Sequence, residues 1–123
     1  MCIRDSDKPQ VKQVGDEFVS KNGKKDAKAS VQFGYAQAQT MYEILKKACA
    51  NKDLSRDGIV KASRQLSAVD TSGLISGPLD YTKVGEPSTR TIYIARPAKV
   101  IGGLQSLPGT FESDTAKSYK FSG

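Results

Sequence analysis

Residues 35–51 read YAQAQTMYEILKKACAN, and the spacing inside this stretch decides how the rest of the chain is read. Ala38, Met41, Tyr42, Leu45, Ala48 and Cys49 recur at i, i+3, i+4, i+7, i+10 and i+11, which places one apolar stripe along a helix. Gln37, Gln39, Glu43, Lys46 and Lys47 fall off that stripe. Glu43 precedes both lysines at helical pairing distance in the favourable order. The lysines also sit near the helix C-terminus, where the helix dipole favours cations. The spacing predicts a helix over 35–51 that buries this stripe, with Leu45 at its middle.

A second helix is expected over 55–67. Ser55 is a good N-cap, Asp57 lies in the first turn, and Leu54 is placed to staple onto Ile59. Ile59, Ala62 and Leu66 continue its apolar side. Gly58 weakens the first turn by up to about 1 kcal/mol relative to Ala, so this helix leans on tertiary packing. The two helices form a hairpin over the short connection at Lys52, Asp53 and Leu54.

Beyond Val69 the period shortens from that of a helix to that of a strand. Turn clusters occupy 70–73 and 76–78, and Leu79 and Tyr81 alternate with Asp80 and Thr82 as a short strand over 78–82. Residues 89–95, TRTIYIA, are the best strand candidate, rich in β-branched and aromatic residues. Pro97 ends that strand or confines it to an edge. Gly102-Gly103 and Pro108-Gly109 mark further turns, and 114–119 fits one terminal helical turn. Upstream, 16–25 offers a short helix anchored by Phe18 and Val19 and ended by Asn22-Gly23. Residues 7–15 are polar, contain Pro9 and show no clear period, so they read as a lead-in.

The chain has 123 residues, enough for one domain at most. Its 37% hydrophobic and 7% aromatic residues are lean for a self-sufficient core. No His is present, which excludes His-ligated metals, Ser-His or Cys-His catalysis and an imidazole pH switch. No apolar run approaches the roughly 18 residues of a membrane span. Residues 1–6, Met-Cys-Ile-Arg-Asp-Ser, resemble the translation of a sequencing-library transposon-end adapter, ATG TGT ATA AGA GAC AG plus one base. On that reading they carry no function, the gene began further upstream, and the absence of a visible signal peptide carries no information on localisation. Cys49 is then the single cysteine, a small buried hydrophobe or, in an exported protein, a partner for a cysteine elsewhere.

The net charge of +6 makes a basic patch the first chemistry to weigh. Lys21, Lys24, Lys25 and Lys28 form a run, but it is interleaved with Ser20 and Asp26, and only Phe18 and Phe33 flank it. Nucleic-acid binding joins a basic face to stacking or base-reading residues, so a solvated face is the better reading and a nucleic-acid-associated protein the alternative. No phosphate-loop pattern occurs, the acidic residues are scattered, and Lys61 with Ser63 does not match the S-x-x-K order. No enzyme activity, cofactor or metal is expected.

The order of motifs resembles a known family. Phe33-Gly34-Tyr35-Ala36 opens a long Ala-rich helix, Asp53-Leu54-Ser55-Arg56 starts the next, and Val69-Asp70-Thr71-Ser72-Gly73 follows. Then come Gly77-Pro78-Leu79-Asp80-Tyr81, Pro87-Ser88-Thr89-Arg90 and Ile92-Tyr93-Ile94. Over about 16–97 this resembles the C-terminal part of type I periplasmic binding proteins, in particular the branched-chain amino acid (Leu/Ile/Val) group of ABC-transporter substrate-binding proteins. The resemblance implies an α/β fold of two Rossmann-like lobes. Residues 16–123 would form part of it, as a helical hairpin followed by short strands. It further implies a non-enzymatic binder of an amino acid, amide or small carboxylic acid that delivers its ligand to an ABC permease. Such a protein is periplasmic or extracellular, with lipid anchoring an option for the full-length form; it is not membrane-spanning and has no nucleic-acid partner. Ser30, Phe33 and Tyr35 are the positions that the resemblance places near the ligand. Gly77-Pro78-Leu79 and Ile92-Tyr93-Ile94 would be structural.

Overall fold

A computed structural model describes residues 8–23, 29–99 and 104–120. The element order is α1 (Pro9–Asn22), α2 (Ala29–Ala50), α3 (Arg56–Ser63), β1 (Ala95–Pro97), β2 (Leu104–Ser106) and α4 (Asp114–Ser118). This is a mixed α/β arrangement, a helical hairpin followed by short strands, as expected.

The stretch 9–15 is no lead-in: it forms the first two turns of α1. Pro9 opens the helix, where its missing N–H costs nothing because that group has no intrahelical partner. Val11 and Val14, three residues apart, turn the same way and are fully buried. They meet Ala36 of α2 and Leu74, with Val31 and Ile75 packed alongside, to form the core. Phe18 and Val19, the expected anchors, are only half-buried. The helix ends as expected, with the Gly23 N–H donating to the Val19 carbonyl at 2.9 Å.

α2 begins at Ala29, ahead of the expected start, and its packed side differs from the expected stripe. Gln32, Ala36, Thr40, Ile44 and Ala48 are buried, one every four residues. Met41 (50%), Tyr42 (63%) and Leu45 (40%) are exposed, as is Cys49; of the six stripe residues only Ala48 is buried. The physical reason is close approach. Ala36, Thr40 and Ala48 are small, so α1, α3 and the loop after Val69 come in on their side of the helix.

The α2–α3 connection is a C-terminal cap made without glycine. Lys52 adopts the left-handed conformation (φ 57°), its N–H bonds to the Cys49 carbonyl at 2.9 Å, and the Asp53 N–H reaches back to Ala48 at 3.1 Å. These are the two bonds of a Schellman motif. Ser55 caps α3 as expected, accepting from the Gly58 N–H at 3.1 Å. The Asp53 carboxylate in turn accepts from the Ser55 hydroxyl at 2.6 Å and its N–H at 3.0 Å. Gly58 is required here, because a Cβ would overlap the Asp53 carbonyl and carboxylate. α3 packs on α2 through Ala62 and ends at Ser63, after which Gln65 and Leu66 continue with tighter turns.

The expected strands are mostly reduced to single bridges. The 78–82 strand survives as one antiparallel bridge, Val69 with Leu79, and Tyr81 donates to Leu66 at 2.8 Å. Within 89–95 pairing begins only at Ile92, bridged to Phe111. The strand proper, β1, pairs antiparallel with β2: Ala95 opposite Ser106, Arg96 opposite Gln105 and Pro97 opposite Leu104. A β-propensity run becomes a strand only where a partner backbone meets its N–H and C=O groups, and here the partner is three residues long. Gly102-Gly103 lies outside the described residues. The terminal helical turn is present as α4, capped by Ser113. Arg90 holds its far end, donating to the carbonyls of Ala116 and Tyr119.

Candidate functional site

Ser30, Phe33 and Tyr35 lie on the first two turns of α2 and are all exposed. At 100° per residue, Ser30 and Phe33 share one side of the helix while Tyr35 lies about 160° away from Phe33. Tyr35 lines a shallow apolar groove of about 400 Å³ with Phe18, Val31, Gly34 and Ala38. Ser30 and Phe33 line no described cavity. The three positions are thus neighbours in sequence that the helix does not gather into one pocket.

A second concavity, of about 490 Å³, was not foreseen. Gln32 of α2 forms one wall, the loop from Asp70 to Pro78 another, and Tyr93 with Leu107 and Thr110 a third; Lys8 lies at its edge. The loop is held on both sides. Gln32 Nε2 donates to the Leu74 carbonyl, and Gln39 Nε2 donates to the Asp70 carbonyl at 3.1 Å. The Tyr93 hydroxyl donates toward the carbonyls of Gly73 (3.2 Å) and Ile75 (3.3 Å). Inside the loop, Asp70 accepts from the Ser72 N–H at 2.7 Å, and Thr71 Oγ1 accepts from the Ile75 N–H at 3.0 Å. Gly73 takes φ +83°, and a Cβ on it would lie 2.9 Å from the Lys8 Cγ, so the Lys8 stem covers a bare backbone. Gly77, Pro78 and Tyr93, expected to be purely structural, line this cleft.

Gln32 is 2% exposed, and its Oε1 has no hydrogen-bond partner. Its position in the four-residue row with Ala36, Thr40, Ile44 and Ala48 was the signal available in the sequence. A glutamine in a buried row needs specific partners.

Elsewhere several charged groups are tied to local structure. The Asp53 and Asp80 carboxyls are held below the usual carboxylate range by hydrogen bonds from Ser55 and Thr82, and neither lines the groove or the cleft described above. Of the lysine run, Lys21 is paired with Glu17 at 2.8 Å, and the rest lies outside the described residues. Among the described residues there is no group of three His, Cys, Asp or Glu side chains that could hold a metal. Among them, too, no helix is long and apolar enough to cross a membrane.

The chain superposes with a TM-score of 0.81 and 34% identity, over 96% of its length, on a fatty acid ABC transporter substrate-binding protein from Thermomonospora curvata. It has the fold of that protein's matched part. The chain spans 30% of the length of that structure. No protein-family model and no curated protein matches the chain.

Proposed function

We propose that the chain is part of the solute-binding component of an ABC importer, a protein that binds a small molecule outside the cytoplasm and delivers it to a membrane permease. The single observation that carries this reading is the superposition along nearly the whole chain at 34% identity. The order of motifs from Phe33 to Ile94 supports it independently. On this reading the protein is a binder and not an enzyme, acts in the periplasm or at the outer surface, and works by closure of two lobes that share ligand contacts. This chain supplies one side of such a cleft, so ligand affinity belongs to the longer protein.

For the ligand, the motif resemblance favours an amino acid, an amide or a small carboxylic acid. The solved relative is a fatty acid binder by name, which widens the acid class toward longer chains. Ser30, Phe33 and Tyr35 are the proposed contact positions, the two aromatics suiting an apolar ligand body. The test is calorimetric titration of the full-length protein that carries this sequence with leucine, valine, phenylalanine, small amides and a series of fatty acids. Saturable binding of one of these classes at one site is the expected result. Failure of every class, together with salt-sensitive binding of DNA, would overturn the reading.

A further inference from the structure

We infer that Asn22-Gly23, at the end of α1, is a site of self-modification, where Asn22 loses its amide nitrogen and becomes aspartate or isoaspartate. The reaction needs water alone as co-reactant. It goes beyond the proposed function, because it holds whatever the chain binds.

The chemistry follows from the pair of residues. The Gly23 backbone nitrogen attacks the Asn22 side-chain carbonyl carbon and closes a cyclic imide. The Cγ–Nδ2 bond breaks, and ammonia leaves with the proton of the Gly23 N–H. Water then opens the ring, its hydroxyl adding to one of the two carbonyl carbons and its proton returning to the nitrogen. Addition at Cγ gives aspartate; addition at the backbone carbonyl gives isoaspartate, with an extra carbon in the main chain. Glycine favours the closure because no Cβ hinders its nitrogen or restricts its backbone. Both residues are exposed, and nothing lies within 4 Å of the place that a Gly23 Cβ would take, so the ring has room to form.

The fold separates this pair from its competitors. Asn51, the other asparagine, precedes Lys52, whose side chain hinders closure. Its Nδ2 also donates to Gln65 at 3.3 Å, and the Lys52 N–H donates to Cys49 at 2.9 Å. Asp57-Gly58 could close the same ring by losing water, but Gly58 is buried and its N–H donates to Ser55 Oγ at 3.1 Å. At the end of α1 the Asn22 Nδ2 donates to the Phe18 carbonyl at 3.1 Å, and the Gly23 N–H donates to the Val19 carbonyl at 2.9 Å. Both bonds must open before the ring closes, so fraying of the last turn of α1 sets the rate. The product lacks the Nδ2 donor and puts a carboxylate at the negative end of the helix dipole, which keeps that turn open. Val11 and Val14, the buried contacts of α1, lie about two turns away, so the damage stays local.

The test is peptide mapping by mass spectrometry of the 123-residue chain, aged in warm, mildly alkaline buffer beside a peptide of residues 19–26. Asn22 should convert in both, its mass rising by the difference between water and ammonia. Conversion in the chain should be about tenfold to a hundredfold slower, the worth of the two hydrogen bonds that close the turn. A chain still intact at Asn22 well beyond about a hundred peptide half-lives would overturn the inference. Equal rates in chain and peptide would overturn the control by α1. Conversion of Asn51 as fast as that of Asn22, or a mass gain that persists in Asn22→Gln, would overturn the assignment to this pair. The aged chain should keep its cooperative melt, and loss of that melt would overturn the local character of the damage.

Discussion

The two sides of α2 make an instructive contrast. One side carries Gln32, Ala36, Thr40, Ile44 and Ala48, a modest row with a single large aliphatic residue, and it is buried. The other carries Met41, Tyr42 and Leu45, the larger apolar groups, and it is open. On that open side the Lys46 ammonium sits 5.9 Å from the centre of the Tyr42 ring. Hydrophobicity states which side of a helix gains most from burial. Small side chains state which side lets another backbone come close. Here the second governs what is packed.

The strongest way to break this contrast is to place a carboxylate on each side. Ile44→Asp puts an unpaired charge into the buried row and should cost roughly 3–5 kcal/mol, enough to abolish cooperative melting of a marginal domain. Leu45→Asp in the same chain should cost no more than about 1 kcal/mol, because Leu45 already meets water. Thermal melts by circular dichroism compare the two. Equal losses would mean that both sides are packed in solution. On the proposed function, in which this chain is part of a longer binding protein, Leu45→Asp should cost more in that protein than in this chain, which sharpens the contrast into a test of what covers the open side.

Leu74→Ala probes what the small residues of the packed side accommodate. Leu74 is fully buried against α1 and α2, and truncation should cost roughly 2–5 kcal/mol in denaturant unfolding. A smaller loss would indicate that the 70–78 loop detaches easily from Gln32.

Helix ends should respond less and without reference to either side. Ser55→Ala removes the cap on Gly58 and the donor to Asp53, at a cost of about 1 kcal/mol. Lys52→Gly relieves a left-handed backbone and should stabilise the chain by about 1 kcal/mol, read as a raised Tm. A lowered Tm there would show that the Schellman cap is not formed.

The smallest effect is that of pH. The Ser55 hydroxyl and N–H hold the Asp53 carboxyl below its ordinary value near 3.8, and Thr82 does the same for Asp80. A carboxyl whose folded value is lowered stabilises the fold above its unfolded value and loses that contribution as pH falls through the folded one. Acid melts should therefore show a small loss below about pH 4, diminished in a Ser55→Ala, Thr82→Ala double variant. An unchanged acid profile in that variant would remove these hydrogen bonds from the account.

Much of the fold was legible because its signals are local. Ser55 as a cap, Asn22-Gly23 as a stop, the hairpin at 52–54 and the turn at α4 each depend on residues within one helical turn of one another. The start of α1 was not legible. Val11 and Val14 are two apolar residues in a polar stretch, and they read as helix only once Leu74 and Ala36 lie beneath them. The cleft was less legible still. Its wall joins Gln32 to Leu74, forty-two positions apart, and Tyr93 to Gly73, twenty apart, and no short pattern encodes either bond.

The sequence by itself determined that the chain is mixed α/β, where α1, α2 and α4 stop and where α3 and α4 start, and that histidine chemistry is absent. These are properties of composition and of neighbours along the chain. Only the tertiary structure decided which side of α2 is packed, how far 78–82 and 89–95 become strand, and that Gln32 is buried with an unmatched oxygen. Each of those depends on a distant backbone arriving at a particular place, because burial and strand pairing are relations between segments and neither segment specifies them alone.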